Sequence, residues 1–362
     1  MKSSFDYLIV GAGLTGAVIA SELTKKGKKV IVVDSRDHIG GNCYTTEVES
    51  IFVHQYGAHI FHTNDKFIWD YVNSLGEFIP YVHQVKANYN NILYDLPFNL
   101  NTYQQIYQSS AEESLLQLNK DISKYNSLVP TNLEEQALKL VGDSIYNILI
   151  KGYTEKQWGR PCTELSPDII KRLPLRVTAD NNYFNDKYQG IPKFGYTSLF
   201  EKLLKDIPVK LNYKYSRTSD LKATTVIHTG MIDEYYDYCY GELEYRSLRF
   251  EHQYLPNTTF MQLPVINYTS SKIPFTRIIE HKNFLDKTTK DTIITKEYPD
   301  SYIKGKEAYY PINNDKNNQL YLKYKQLADQ DGIIFCGRLG GYTYLDMDDS
   351  IREAFNLLQK LA

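Results

Sequence analysis

Gly11, Gly13 and Gly16 stand in GxGxxG spacing between the apolar run Asp6–Val10 and the helix-suited segment Ala17–Lys25. At that spacing the first glycine permits a tight turn and the second lets backbone N–H groups approach a pyrophosphate. The third allows close helix–strand packing, with the helix N-terminus facing negative charge. Asp34 closes the next apolar run, "KVIVVD", where a carboxylate meets ribose hydroxyls. The chemistry of this set is dinucleotide binding. The continuation "DSRDHIGGNCYT" adds Ser35, Arg36, Gly40, Gly41 and Asn42, and its glycines let the chain run beside a pyrophosphate and a ribityl chain. Near the other end, "CGRLGGYTYLDMDDSI" offers a second set of amides at a helix start, with Gly337, Arg338, Asp346 and Met347. Together these select FAD rather than NAD, with Leu14 and Thr15 in the first turn.

Other chemistry is sparse. The chain has ten arginines against 31 lysines, so each Arg, with its planar bidentate fork, raises a question that Lys does not. His59 and His62 are three apart with no third ligand nearby, which argues against zinc. The four cysteines, Cys43, Cys162, Cys239 and Cys336, have no ligand spacing and read as buried free thiols without a metal or disulfide role.

The elements that must position these residues follow from periodicity. A strand at Asp6–Val10, a helix at Ala17–Lys25 stopped by Gly27, and a strand at Lys29–Asp34 make a βαβ opening. From about Thr102 to Gly159 the chain reads as helical, with Asn132 as a cap. From about Leu173 to Tyr188 and from Glu244 to Glu297 short aromatic and β-branched runs read as antiparallel strands, among them "TTFMQLPVINYT", "FTRIIEHKNF" and "DTIITKEYP". Tyr196–Lys205 reads as a helix and "ATTVIHTG" as another strand of the first kind, and the terminal strand–turn–helix returns to the dinucleotide domain. The fold class is α/β. A Rossmann-like FAD-binding domain comes in several segments (1–80, 190–243 and 305–362). A helical insertion domain (98–165) carries a lid, and an antiparallel β-sheet layer takes 81–97, 166–189 and 244–304.

Bulk properties bound the function. With 362 residues, two or three domains are expected. A net charge of −2 offers no basic field for nucleic acid, and no apolar run reaches the length of a spanning helix, so no membrane insertion is expected. The short apolar stretch after Asp6 lacks a basic n-region, which leaves the cytoplasm as the default compartment.

Seven stretches, "YGAHIFHT", "IKGYTEKQWGRP", "IIKRLPLR", "DNNYFNDKYQGIP", "EYRSLRF", "FTRIIEHK" and "YYPIN", occur in order over essentially the whole chain. In these the sequence resembles the bacterial UDP-galactopyranose mutases. The resemblance implies interconversion of UDP-galactopyranose and UDP-galactofuranose with no net redox change, by covalent catalysis through N5 of reduced FAD. The protein must then bind a diphosphate and stabilise it as it leaves, which calls for Arg forks and phenol donors. By resemblance these are Arg172 and Arg277 with Tyr310 and Tyr344, helped by Arg246 and Arg176. Tyr153, Thr154 and Trp158 fall to the uridine or the lid. Tyr183 and Asn267 are further UDP-sugar contacts, His83 lies near the sugar, and Tyr56, Gly57 and His59 run under the flavin with His59 beside its reactive edge. The resemblance also implies a homodimer, NAD(P)H or a flavin reductant as electron source, and a place in galactofuranose and cell-surface polysaccharide biosynthesis. Three departures stand out: "GGYTYLD" has Gly where an acid is common, Asp34 replaces Glu, and His83 takes a place often held by Asn. The last leaves open a bifunctional mutase that also accepts UDP-N-acetylgalactosamine. A flavin oxidoreductase of the amine oxidase type is the more distant alternative.

Overall fold

The computed structural model describes residues 5–172, 175–285 and 288–361, with the side chains of Lys171 and Arg172 outside the described set. The chain divides into two units. One comprises Met1–Pro80, Asp186–Ser247 and Tyr302–Ala362, the other Tyr81–Asn185 and Leu248–Ser301.

In the first unit, "FDYLIV" and "VIVV" are continuous apolar runs because both faces of their sheet are covered. Ile9, Val32 and Ile227 enter one core, while Leu8, Val10, Ile31 and Val33 enter a second. The sheet is parallel, in the order Val209–Lys210, Val30–Val33, Phe5–Val10, Ala223–His228, Ile333–Phe335. Helix Leu14–Lys25 follows the glycine turn and Met347–Lys360 closes the unit. A three-stranded sheet joins Phe61–Thr63 and Phe78–Pro80 to Tyr188–Pro192 between them. Tyr310–Pro311 pairs antiparallel with Tyr245 and Arg246.

In the second unit, strands in the order Thr292–Ser301, Arg277–Glu280, Val265–Tyr268, Val85–Tyr89, Ile92–Leu96 form a sheet, with Asn267 opposite Arg277. Its helices are Leu100–Tyr107, Ala111–Ser123, Leu133–Ile145 and Lys151–Trp158. Asn132 caps the third by accepting from Glu135 N–H at 3.0 Å.

Several expectations are corrected. The helix after Asn132 does not run unbroken to Gly159. Gly142 has φ +71°, where a Cβ would meet Asp121 Cβ at 2.5 Å, and a π-turn follows at Tyr146–Ile150. Of the strands expected over 173–188, residues 173–174 lie outside the described set, and among residues 175–188 none begins before Tyr188. Before it, a 3-10 turn spans Pro167–Arg172, and Arg176 ties residues 180–185 into an irregular loop. "TTFMQLPVINYT" is regular only at Val265–Tyr268, since the N–H groups of Phe260 and Met261 turn aside to the buried Glu280 carboxylate at 2.9 and 2.6 Å. Cys43, Cys162 and Cys336 are buried free thiols, but Cys239 is exposed.

Buried histidines make the two units respond differently to acid. His281 shares the Thr295 hydroxyl with His252, at 2.6 and 2.7 Å, and burial pushes its pKa down to about 3. An unfolded chain takes up a proton near pH 6.5 that the folded one refuses, so stability is full above that pH and falls as pH drops. In the first unit His228, pushed down to about 4, acts in the same sense. Asp233 there, pushed up to about 6 by burial, acts in the opposite sense between about pH 4 and 6 and offsets it. As pH falls below 6 the second unit should therefore lose stability, while in the first the opposed shifts of His228 and Asp233 leave a smaller change. Hydrogen exchange followed unit by unit checks this, and equal acid sensitivity would contradict it.

Candidate functional site

The glycine turn is held by contacts that admit no side chain. A Cβ on Gly16 would lie 2.0 Å from Gly11 O, and one on Gly11, at φ +111°, 1.9 Å from Thr229 Oγ1. Gly13 differs: its nearest neighbour is Gly41 Cα at 3.7 Å. A Cβ on Gly41, at φ +55°, would in turn stand 2.9 Å from Gly13 Cα. Two glycine backbones thus face each other at the floor of a cleft of about 800 Å³ in the first unit.

Of the expected cofactor contacts, Gly11, Gly13, Leu14, Thr15, Gly16, Asp34, Ser35, Arg36, Gly40, Gly41, Asn42, His59, Gly337, Arg338 and Met347 line this cleft. Tyr56 lies behind it, under the Arg36 guanidinium at 4.5 Å and 2.7 Å from His38 Nε2. Gly57 O accepts from His59 Nδ1 at 2.9 Å, which makes Nε2 the acceptor nitrogen of that ring. Asp346 holds the N-cap position of the last helix without a side-chain capping bond; its backbone oxygen accepts from Ser350 N–H at 3.0 Å. Asp34 accepts from Ala12 N–H at 2.7 Å and Arg36 N–H at 2.9 Å, leaving lone pairs for ribose hydroxyls. Arg36 spends Nη2 on Glu307 and Asn42, while its buried Nη1 has no hydrogen-bond partner among the described residues. A buried orphan donor and a side-chain-free floor fit a phosphate-bearing dinucleotide. Sequence reasoning missed the far wall, Tyr213–Thr218 and Thr229–Met231, although "VIHTG" ends in a strand-then-glycine pattern like that of the first turn.

In the same unit Tyr310 and Tyr344 lie with ring centroids 5.9 Å apart, and Arg338 lies 5.8 and 4.8 Å from them. Arg246 is buried, and its carbonyl accepts from Tyr309 N–H. At Gly341, the position lacking the common acid, a Cβ would lie 2.9 Å from Gly337 O and 3.4 Å from Glu353 Oε1, and Glu353 Oε2 accepts from Gly337 N–H at 2.7 Å. His62 bonds Asp186 at 2.6 Å.

The second unit holds a smaller cleft of about 170 Å³. Tyr153, Thr154, Trp158, Tyr183 and Asn267 converge on it, joined by Gln157, Thr269 and the apolar Leu133, Leu149, Ile150, Ile169 and Ile170. Asn267 is buried and its Oδ1 has no hydrogen-bond partner among the described residues. Arg277 Nε stands 2.9 Å from Oε2 of the fully buried Glu297, an ionic contact not aligned as a hydrogen bond. Burial raises the Tyr183 phenol pKa and the Arg277 charge pulls it back, which marks the two as neighbours. His83 is buried behind Tyr183, stacked on Phe184 at 5.7 Å and 3.3 Å from Tyr81 Oη. Arg176 is engaged on its own loop, at Asp180, Asn182 and Asn185. The side chain of Arg172 lies outside the described residues. No group of three or more His, Cys, Asp or Glu among the described residues could hold a metal ion.

The model of the UDP-galactopyranose mutase family matches residues 148–344, and that of the NAD(P)-binding Rossmann-like domain residues 9–75. The chain belongs to the UDP-galactopyranose mutase family. It is 41% identical to the dTDP-fucopyranose mutase of Escherichia coli, over 97% of both chains. It is 40% identical to the "Probable UDP-galactopyranose mutase" of Klebsiella pneumoniae, over 96% of this chain and 92% of that one. A crystal structure of reduced UDP-galactopyranose mutase shares the fold, with a TM-score of 0.79 at 15% identity over 99% of this chain and 96% of that one. Sequence likeness to a putative flavin-containing monoamine oxidase of Mycobacterium tuberculosis covers 17% of the chain, and a putrescine oxidase structure shares the fold over 99% of it with a TM-score of 0.60 at 13% identity, so the oxidase alternative is a distant fold relative. As a member of this mutase family the protein is an enzyme of the isomerase class, and its cofactor is FAD.

Proposed function

We propose that the protein interconverts UDP-galactopyranose and UDP-galactofuranose, with the uridine in the cleft of the second unit. The observation that carries this is Asn267 Oδ1, a buried acceptor with no hydrogen-bond partner among the described residues, in a cleft that also has the Trp158 indole and two phenols. Such an acceptor takes an N–H or O–H from a ligand, and the indole offers a stacking face for a base. FAD, when bound and reduced, supplies a nucleophilic nitrogen at N5. Arg277 and Arg172 neutralise the diphosphate as it departs. The roles of Tyr310, Tyr344 and Arg246 as its donors, of His83 and Tyr183 near the sugar, and of His59 beside the flavin belong to the same proposal. Reduction by NAD(P)H or a reduced flavin, a cytoplasmic location, a homodimer and a part in cell-surface polysaccharide synthesis complete it. No helix among the described residues is long and apolar enough to cross a membrane.

A second reading rests on the Escherichia coli relative: a dTDP-linked fucose as substrate. The aliphatic side of the cleft, Leu149, Ile150, Ile169 and Ile170, suits a thymine methyl. The test is to incubate dithionite-reduced protein with UDP-galactofuranose and, in parallel, with UDP-N-acetylgalactosamine and dTDP-fucopyranose, following ring isomers by chromatography. Turnover of the first by reduced protein supports the proposal, and equal rates with oxidised protein would contradict it. Trp158→Ala should raise KM roughly tenfold through lost stacking, with flavin content unchanged.

A further inference from the structure

Helix Lys151–Trp158 gives the cleft Tyr153, Thr154, Gln157 and Trp158. Residues 148, 152 and 156, one helical turn apart, all meet the connection 269–276 between strands Val265–Tyr268 and Arg277–Glu280. Thr269 Oγ1 donates to Ile148 O at 2.7 Å. Gly152 lets the backbones touch: a Cβ there would lie 2.4 Å from Thr269 O and 3.0 Å from Ser271 N. Lys156 Nζ then donates to the carbonyls of Tyr268, Ser270, Ile273 and Phe275 at 2.7, 3.0, 2.9 and 3.0 Å. An ammonium has three protons, so four acceptors share them, and three of the four carbonyls belong to a connection outside any strand. Burial lowers the lysine pKa to about 8, so the cage holds a cation at neutral pH.

We infer that Lys156 is a positioning residue for nucleotide recognition. By gathering four carbonyls it fixes the spacing between the helix that bears Tyr153 and Trp158 and the hairpin that bears Asn267 and Thr269. The inference rests on the reading of this cleft as the nucleotide site.

The test uses the purified flavoprotein, with UDP as probe. Trp158 fluorescence reports binding. The chain has two tryptophans, and a Trp158→Phe control assigns the signal. Lys156→Met keeps the stem and removes the donors. It should raise the UDP Kd and the nucleotide-sugar KM about tenfold, the cost of a lost charged donor, while flavin content stays at parent level and kcat falls less than KM rises. Lys156→Arg should recover part of the affinity. A folded Lys156→Met variant with parent-like UDP affinity would overturn the inference. Should that variant not fold, Gly152→Ala separates the same two surfaces with Lys156 intact, and it too must weaken UDP binding or the inference fails. A parent protein whose Trp158 does not respond to UDP would instead overturn the reading of the cleft itself.

Discussion

Arg277→Ala should lose roughly 100- to 1,000-fold in kcat while its flavin content stays that of the parent. A guanidinium aimed at a departing diphosphate matters most when charge develops there, so the loss falls on kcat more than on KM. The same substitution also injures the fold, for a separate reason. Glu297 is fully buried, with Arg277 Nε at 2.9 Å and Thr276 Oγ1 at 3.5 Å. Removing the cation leaves a buried carboxylate uncompensated, which costs about 3–5 kcal/mol. The two effects separate in Arg277→Ala/Glu297→Gln, which should regain most of the melting temperature and none of the turnover. If flavin is lost before turnover in the single variant, Arg277 serves the cofactor and the assignment to the diphosphate is wrong.

Gly13→Ala and Gly16→Ala should part company although they lie three residues apart in one motif. At Gly13 a Cβ has open space, with Gly41 Cα at 3.7 Å, and the backbone is extended at φ −77°. The variant should fold with a near-parental melting temperature yet purify colourless, because the new methyl stands where the pyrophosphate must approach the amides. At Gly16 a Cβ would lie 2.0 Å from a backbone oxygen that no rotamer change can move. That variant should lose about 3 kcal/mol or more along with its flavin. Absorbance at the flavin band and thermal melts distinguish the two. A yellow, active Gly13→Ala protein would sink the account of the cleft.

Legibility followed locality. The opening strand, turn and helix were readable because apolar runs, glycines and an acidic strand end lie within one short segment. The Asn132 cap was readable because its partner, Glu135 N–H, is three residues on. The 17-residue helix Asp315–Asp331 escaped notice: its buried residues are Asn317, Tyr324 and Ala328, which draw no apolar stripe. Its signal was Asn314, which accepts from Asn317 N–H at 2.8 Å. The sheet of Phe61–Thr63, Phe78–Pro80 and Tyr188–Pro192 was missed because its pairings span more than a hundred residues. Lys156 was read past for a similar reason: a lysine in a polar helix looks solvated until the carbonyls of 268–275 surround it. Tyr153, Thr154, Trp158, Tyr183 and Asn267 of the small cleft came from the family resemblance, while Gln157, Thr269 and its aliphatic residues emerged only from the structure. Apart from helix residues 153–158, they sit on segments that periodicity alone does not bring together.

The parallel sheet draws its strands from residues 5–10, 30–33, 209–210, 223–228 and 333–335. On the ribosome, at about 5–20 residues per second, the first strand waits roughly 20–60 s for the last. The amides that begin at Gly337 are synthesised later still. Cofactor capture that depends on those amides is therefore a late event in biogenesis. Until it happens, the nascent βαβ segment exposes a strand edge that no bound cofactor covers.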